Sequence, residues 1–112
     1  MKTINRTVLI VTPKKPFLDW ANGFEEVPPE VESVSVYHSV YLIPESFDES
    51  NFRTFLKKNF AIIFEEELYA MITEAERWPQ KRDFKTFNAW FDARACDTVF
   101  DLSHEPLIRE EW

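Results

Sequence analysis

Residues 51–76 read NFRTFLKKNFAIIFEEELYAMITEAE, and the apolar residues of this segment recur three and four positions apart. That spacing is typical of one face of an α-helix. The residues on this face are Phe52, Leu56, Phe60, Ile63, Phe64, Leu68, Met71, Ile72 and Ala75. A second apolar line contains Phe55, Ile62 and Tyr69, so the middle of the helix is apolar over more than half of its circumference. We therefore expect either a second helix of the same chain or another subunit to lie against it.

A shorter helix is predicted after the long one. Either Asp48 or Ser50 can cap the long helix, and Trp78 and Pro79 end it, because the residue before a proline avoids the helical region. Asp83 can then cap the second helix, whose apolar residues form one stripe. They are Phe84, Phe87, Trp90 and Phe91. This stripe is the natural cover for the long helix.

Two strands are predicted before the long helix. Residues 7–12 form a continuous, β-branched apolar run, which is typical of a strand covered on both faces or of a central strand. Residues 31–43 alternate, which is typical of a strand with two unlike faces. The face that we expect in the core comprises Val34, Val36, His38, Val40 and Leu42. The opposite face, which can tolerate water, comprises Ser35, Tyr37, Ser39, Tyr41 and Ile43.

A last strand is predicted over residues 93–103, where the apolar period changes to two. Its core face comprises Arg94, Cys96, Thr98, Phe100 and Leu102. Its other face comprises Ala95, Asp97, Val99 and Asp101. A short helix is also expected from Pro16 to Asn22, with Gly23 in a left-handed C-cap.

The predicted order is strand, helix, strand, helix, helix, strand, which favours an α+β fold. We expect a single two-layer domain over residues 1–112, with a small mixed or antiparallel sheet of three to four strands and helices mainly on one face. If the long strand divides near Val34, the sheet has four strands in a ferredoxin-like order.

Composition and charge exclude several classes of function. The formal charge of −7 disfavours binding to nucleic acids and to anionic membranes. A single Gly excludes the glycine-rich phosphate loops, and a single Cys excludes a disulfide framework. No apolar run is long enough to cross a membrane, so we expect a soluble protein of the cytoplasm.

No catalytic group, cofactor site or metal site is predicted. His38 and Cys96 are interpreted as core residues, because two His in the whole chain offer no companion groups for a triad. Glu67 lies near the apolar stripe of the long helix, and we expect it to pair with a base such as Arg94. The candidate recognition surface combines the water-facing side of the sheet with the loop between the last two helices. Its residues are Tyr37, Tyr41, Asp97, Asp101, Trp78, Lys81 and Arg82.

The hypothesis that fits these features best is a non-enzymatic interaction or regulatory domain that associates with itself as a homodimer, with a protein partner also open. One alternative is a small-molecule or metal-binding protein, or an enzyme, that uses the Tyr and Asp residues of the sheet face. Another is contact with single-stranded nucleic acid through residues 77–85, which the net charge opposes. No motif is specific enough to indicate a family.

Overall fold

The structure, a computed structural model, describes residues 1–25, 39–45 and 48–111. The described strands are β1 (Lys2–Thr3), β2 (Arg6–Pro13), β3 (Ser39–Pro44), β4 (Phe91–Cys96) and β5 (Phe100–Asp101). The described α-helices are α1 (Lys15–Asn22), α2 (Glu49–Met71) and α3 (Phe84–Trp90), and a 3₁₀ turn spans Ala75–Arg77. The mixture confirms the predicted α+β class. The stretch from 26 to 38, which holds Val34, Tyr37 and His38, lies outside the described residues.

Two antiparallel sheets organise the strands. The larger sheet has the order β3-β2-β4, so the strand predicted as central is central. The smaller sheet pairs β1 with β5. In the larger sheet, Leu9 of β2 lies between Tyr41 of β3 and Ala95 of β4. The sheets therefore bring together segments from the beginning, the middle and the end of the chain.

The core lies between the larger sheet and the three helices. Leu9 and Val11 of β2 are completely buried against aromatic side chains of the helices. The ring of Phe64 on α2 lies 5.9 Å from that of Phe87 on α3 and 5.4 Å from that of Phe91. The predicted contact between the two helices is thus confirmed. Burying one such aromatic side chain contributes about 1.5–3 kcal/mol to folding.

Both predicted aspartate caps are present. Asp48 Oδ1 accepts a hydrogen bond from the backbone N–H of Asn51 at 2.8 Å, and Asp83 Oδ1 accepts one from the N–H of Thr86 at 2.7 Å. Helix α2 nevertheless ends at Met71, before the predicted end, because Ile72 adopts an extended conformation. The Trp78 indole N–H donates to the Ile72 carbonyl at 2.7 Å. This bond occupies the carbonyl that a continuing helix would have used.

The C-cap of α1 differs from the prediction. Gly23 has φ −75° and ψ −6°, which is the right-handed and not the left-handed region. Its backbone N–H donates to the Trp20 carbonyl at 3.2 Å, closing the last turn without a left-handed residue. A Cβ at this position would lie 3.3 Å from that same carbonyl oxygen, so close approach explains the glycine.

The prediction of which face of β3 is buried was wrong. Ile43 is buried and Tyr41 is half-buried, whereas Val40 is 60% exposed and Leu42 is 52% exposed. Pairing with β2 explains the reversal: Tyr41 lies opposite the buried Leu9, whereas Leu42 lies opposite Val8 on the outer side.

The prediction for the last strand was also wrong about which face is buried and about the length of the strand. Phe91 is buried at the start of β4, whereas Arg94 and Cys96 are exposed, as are Phe100 and Leu102 beyond it. The strand stops at Cys96, which pairs with Val8, because β2 begins only two residues before Val8. The chain then forms β5 against β1 in the smaller sheet.

Candidate functional site

A buried carboxylate joins the sheet to the long helix. Glu67 of α2 is only 8% exposed, and its side chain points at β3. The Tyr41 hydroxyl donates to Glu67 Oε2 at 2.6 Å, and the Ser39 hydroxyl donates to Glu67 Oε1 at 3.0 Å. Both oxygens of the carboxylate are therefore satisfied by hydroxyls of one strand. This network explains how a strand face with Ser and Tyr can be the inner one.

Burial changes the acidity of the groups in this network. Removal of Glu67 from water raises the pKa of its carboxyl, although the bonds from Tyr41 and Ser39 act in the opposite direction. Burial also raises the pKa of the Tyr41 hydroxyl, and the neighbouring Glu67 carboxylate raises it further. The Tyr41 hydroxyl therefore stays protonated and acts as a donor. The network holds β3 against α2.

The expected ion pair between Glu67 and Arg94 is absent from the structure. The Arg94 guanidinium Nε donates to Asp92 Oδ2 at 2.9 Å, and its side chain is 78% exposed. Arg94 lies opposite Ile10, on the side of β2 that faces away from the helices. Glu67 instead takes its partners from β3, which the reversed face places beside α2.

The outer side of the larger sheet is the most unusual surface of the described chain. We call it the open sheet face, and it is formed by residues of β2, β3 and β4 that point away from the helices. They are Val8, Ile10, Thr12, Val40, Leu42, Asp92, Arg94 and Cys96. Two of its aliphatic side chains, Val40 and Leu42, are more than half exposed. Its apolar part lies over β2 and β3, and its charged part over β4.

The described residues among those predicted as a recognition surface lie on several different elements. Tyr41 faces the helix, and Asp97 follows β4, at the sheet edge opposite β3. Asp101 belongs to β5 in the smaller sheet, where it pairs with Lys2. Tyr37 lies outside the described residues. The residue that connects sheet and helix is Glu67, whose position near the apolar stripe was its only signal in the sequence.

The loop between α2 and α3 uses its bases and its aromatic residue internally. The Arg82 guanidinium donates to the Pro79 carbonyl at 2.7 Å and lies 5.7 Å from the Trp78 ring centre. Lys81 lies 3.9 Å from an Asp83 carboxylate oxygen. The Trp78 N–H is already bonded to the Ile72 carbonyl. Trp78 and Arg82 are therefore engaged with the protein itself, whereas Lys81 remains exposed to solvent.

Other kinds of site receive little support from the described residues. Among them, no three His, Cys, Asp or Glu side chains are grouped as a metal site would require. None of the described helices is both long and apolar enough to span a bilayer. Comparison of the chain with family models, with characterised proteins and with solved structures found no match. Function is therefore inferred from surface chemistry alone.

Proposed function

We propose that this protein is a small non-enzymatic interaction domain that forms a homodimer by packing its open sheet face against the same face of a second copy. The observation that carries the proposal is the exposure of Val40 and Leu42, at 60% and 52%, beside Val8 and Ile10. Contiguous exposed apolar side chains on a sheet are typical of protein interaction sites. Closed twofold dimers are the most common oligomers and use one patch twice.

Charge supports a second copy as the partner. Two chains that each carry a formal charge of −7 repel one another unless the surfaces that meet are locally neutral. The open sheet face meets this condition, because its acid, Asp92, is paired with its base, Arg94. The exposed apolar line of α2 is less suitable. There Ile62 and Tyr69 are separated by the acidic run of residues 65–67.

The free cysteine supports a reducing compartment as the location. Cys96 is exposed on the open sheet face, opposite Val8. An exposed thiol is kept reduced in the cytoplasm and is readily oxidised outside it. We place the protein in the cytoplasm for this reason.

Light scattering over a concentration series tests the dimer. We expect the wild type to be dimeric and Val40→Asp to be monomeric, because twofold symmetry places the introduced carboxylate in the interface twice. Ile62→Asp is the matched control, since Ile62 is equally exposed, at 65%, but lies on α2. This control should remain dimeric. A monomeric wild type, or dissociation by Ile62→Asp and not by Val40→Asp, would refute the proposed interface.

Cross-linking gives a second and independent measurement. Cys96 is the single cysteine of the chain, so a short bifunctional reagent that reacts with thiols can join two copies only through this residue. A dimer built on the open sheet face brings the two Cys96 side chains to the same interface and should yield a covalent dimer. Val40→Asp should abolish this product while leaving Cys96 reactive to a monofunctional reagent.

A further inference from the structure

We propose that a cleft at one end of the open sheet face binds the carboxylate of a small aliphatic acid. The cleft has a volume of about 470 Å³ and lies between the start of the chain, the Leu42 side chain and residues 107–109. Sites for small ligands are concave spaces of roughly 300–1,000 Å³ with apolar walls and a few polar groups. The proposal does not depend on the dimer.

The walls of the cleft suit an aliphatic chain. Its apolar side chains are Ile4, Leu42, Leu107 and Ile108. All four are aliphatic, and Leu42, Leu107 and Ile108 are 52%, 68% and 80% exposed. A bound hydrocarbon chain would therefore remove apolar surface from water on both sides of the cleft. None of the described residues that line it is aromatic, so they offer a flat aromatic ligand no stacking partner.

Two arginines give the cleft its preference for an anion. Arg6 and Arg109 both line it, and neither forms an ion pair with an acid among the described residues. The Arg6 Nη1 donates to the Asn5 carbonyl at 2.9 Å and to Asn5 Oδ1 at 2.8 Å, which holds the guanidinium in place. Among the described residues its remaining N–H groups have no other hydrogen-bond acceptor, so they can meet a carboxylate. A guanidinium binds a carboxylate through two parallel hydrogen bonds and neutralises its charge, and a second guanidinium adds further attraction for an anion.

The complete cleft therefore matches an amphiphilic carboxylate, with the anion at the arginines and the chain along the aliphatic walls. A short polar acid would leave the aliphatic walls exposed to water. A neutral alcohol would give the arginines no anion to bind. Both parts of the ligand are needed for tight binding.

Titration with octanoate, followed by the amide chemical shifts of labelled protein, tests this proposal. We expect saturable binding of one octanoate, with shifts confined to residues 3–6, 42 and 107–109. Acetate and 1-octanol should each bind at least about tenfold more weakly, because each lacks one half of the recognition. Absence of octanoate binding, or equal binding of 1-octanol, would overturn the proposal.

Variants separate the cleft from general electrostatics. Arg6→Gln and Arg109→Gln should each weaken octanoate binding about tenfold, the loss expected for one charge-assisted contact. Arg53→Gln removes the same charge from an exposed position on α2 and should have no effect. Arg109 lies outside every described helix and strand, so its variant should keep the folded spectrum. If Arg53→Gln weakens binding as much as Arg109→Gln, the cleft is not the site.

The same titration on Val40→Asp distinguishes this proposal from the dimer. Val40 does not line the cleft, and Leu42 lies both in the cleft and on the open sheet face, so a monomeric variant should bind octanoate at least as tightly as the wild type. Loss of binding in that variant would show that the site requires the second copy, which contradicts a cleft complete within one chain.

Discussion

Replacing Glu67 with Gln removes the negative charge of the buried side chain but keeps a group that can form both of its hydrogen bonds. The wild-type side chain accepts from Tyr41 at 2.6 Å and from Ser39 at 3.0 Å while only 8% exposed. A Gln amide has the same shape, and it can accept from one hydroxyl and donate to the other. At pH 7 we therefore expect the free energy of unfolding to change by no more than about 1 kcal/mol. Glu67→Leu leaves both hydroxyls without an acceptor and should cost about 2–4 kcal/mol.

The stability of the wild type should also depend on pH through the Glu67 carboxyl. Burial raises the pKa of Glu67 in the folded protein above its ordinary value of 4.5. The folded state thus holds the proton more tightly than the unfolded chain. The extra stability that comes from the bound proton is fully present below the pKa of Glu67 in the unfolded chain. It is lost as the pH rises through the pKa of Glu67 in the folded protein. Between those two values the loss is about 1.4 kcal/mol for each pH unit.

Urea unfolding followed by tryptophan fluorescence, from pH 4 to pH 8, measures this effect. It should be done at one protein concentration, because dimer formation adds to apparent stability. Relative to the wild type, Glu67→Gln should gain stability as the pH rises from the unfolded to the folded pKa of Glu67, and the difference should then level off. Glu65→Gln makes the same chemical change at an exposed position of α2, and its curve should run parallel to the wild type. If the curve of Glu67→Gln is also parallel, the carboxyl does not have a raised pKa and the reasoning is wrong.

Two further substitutions test the core and the helix start. Phe64→Ala removes a completely buried ring that contacts Phe87 and Phe91, and it should lower the free energy of unfolding by about 3–5 kcal/mol in the same urea assay. Phe100→Ala is the control, because Phe100 is 61% exposed, and a loss there as large as that of Phe64→Ala would contradict the packing. Asp48→Ala removes the cap of α2 and should cost about 1 kcal/mol by thermal unfolding, whereas Asp48→Asn, which keeps the acceptor, should recover most of it. Equal losses in both variants would argue against the cap.

The helices were predictable from the sequence, because residues close together along the chain determine where a helix begins and which of its faces is apolar. Residue type and position assigned Asp83 as a cap and Asp48 as one of two candidates with Ser50, and both aspartates accept the expected backbone hydrogen bond. The apolar spacing of α2 and α3 likewise predicted that their aromatic residues would meet, as Phe64 and Phe87 do. The caps and the apolar spacing of each helix depend on neighbours within four residues along the chain.

The sheet faces were not predictable in the same way. Alternation shows that β3 has two unlike faces, but hydrophobicity alone selected Val40 and Leu42 for the core. The outcome depends on Glu67, which supplies the acceptors that let Ser39 and Tyr41 turn inward. That information lies on another element and is not carried by the strand itself. The candidate surface changed for the same reason, since exposing Val40 and Leu42 created it.

The end of β4 depended on its pairing with β2, a strand that is distant in the sequence. Residues 93–103 keep a period of two throughout, so nothing local predicts a break after Cys96. The break follows from the register with β2, whose first residue, Arg6, lies only two residues before the partner of Cys96. The length of a distant strand therefore determined where β4 could stop.

The position of β2 has a consequence for how the chain reaches its native state. This strand leaves the ribosome first of the three in its sheet, yet Val8 pairs with Cys96 and with Leu42. Its apolar residues therefore lack their second neighbouring strand until residues 91–96 have been synthesised. Closing so large a loop slows folding, and the waiting strand offers an unprotected edge to other nascent chains. A chaperone that covers Val8 to Val11 during synthesis would be expected to raise the yield of folded protein.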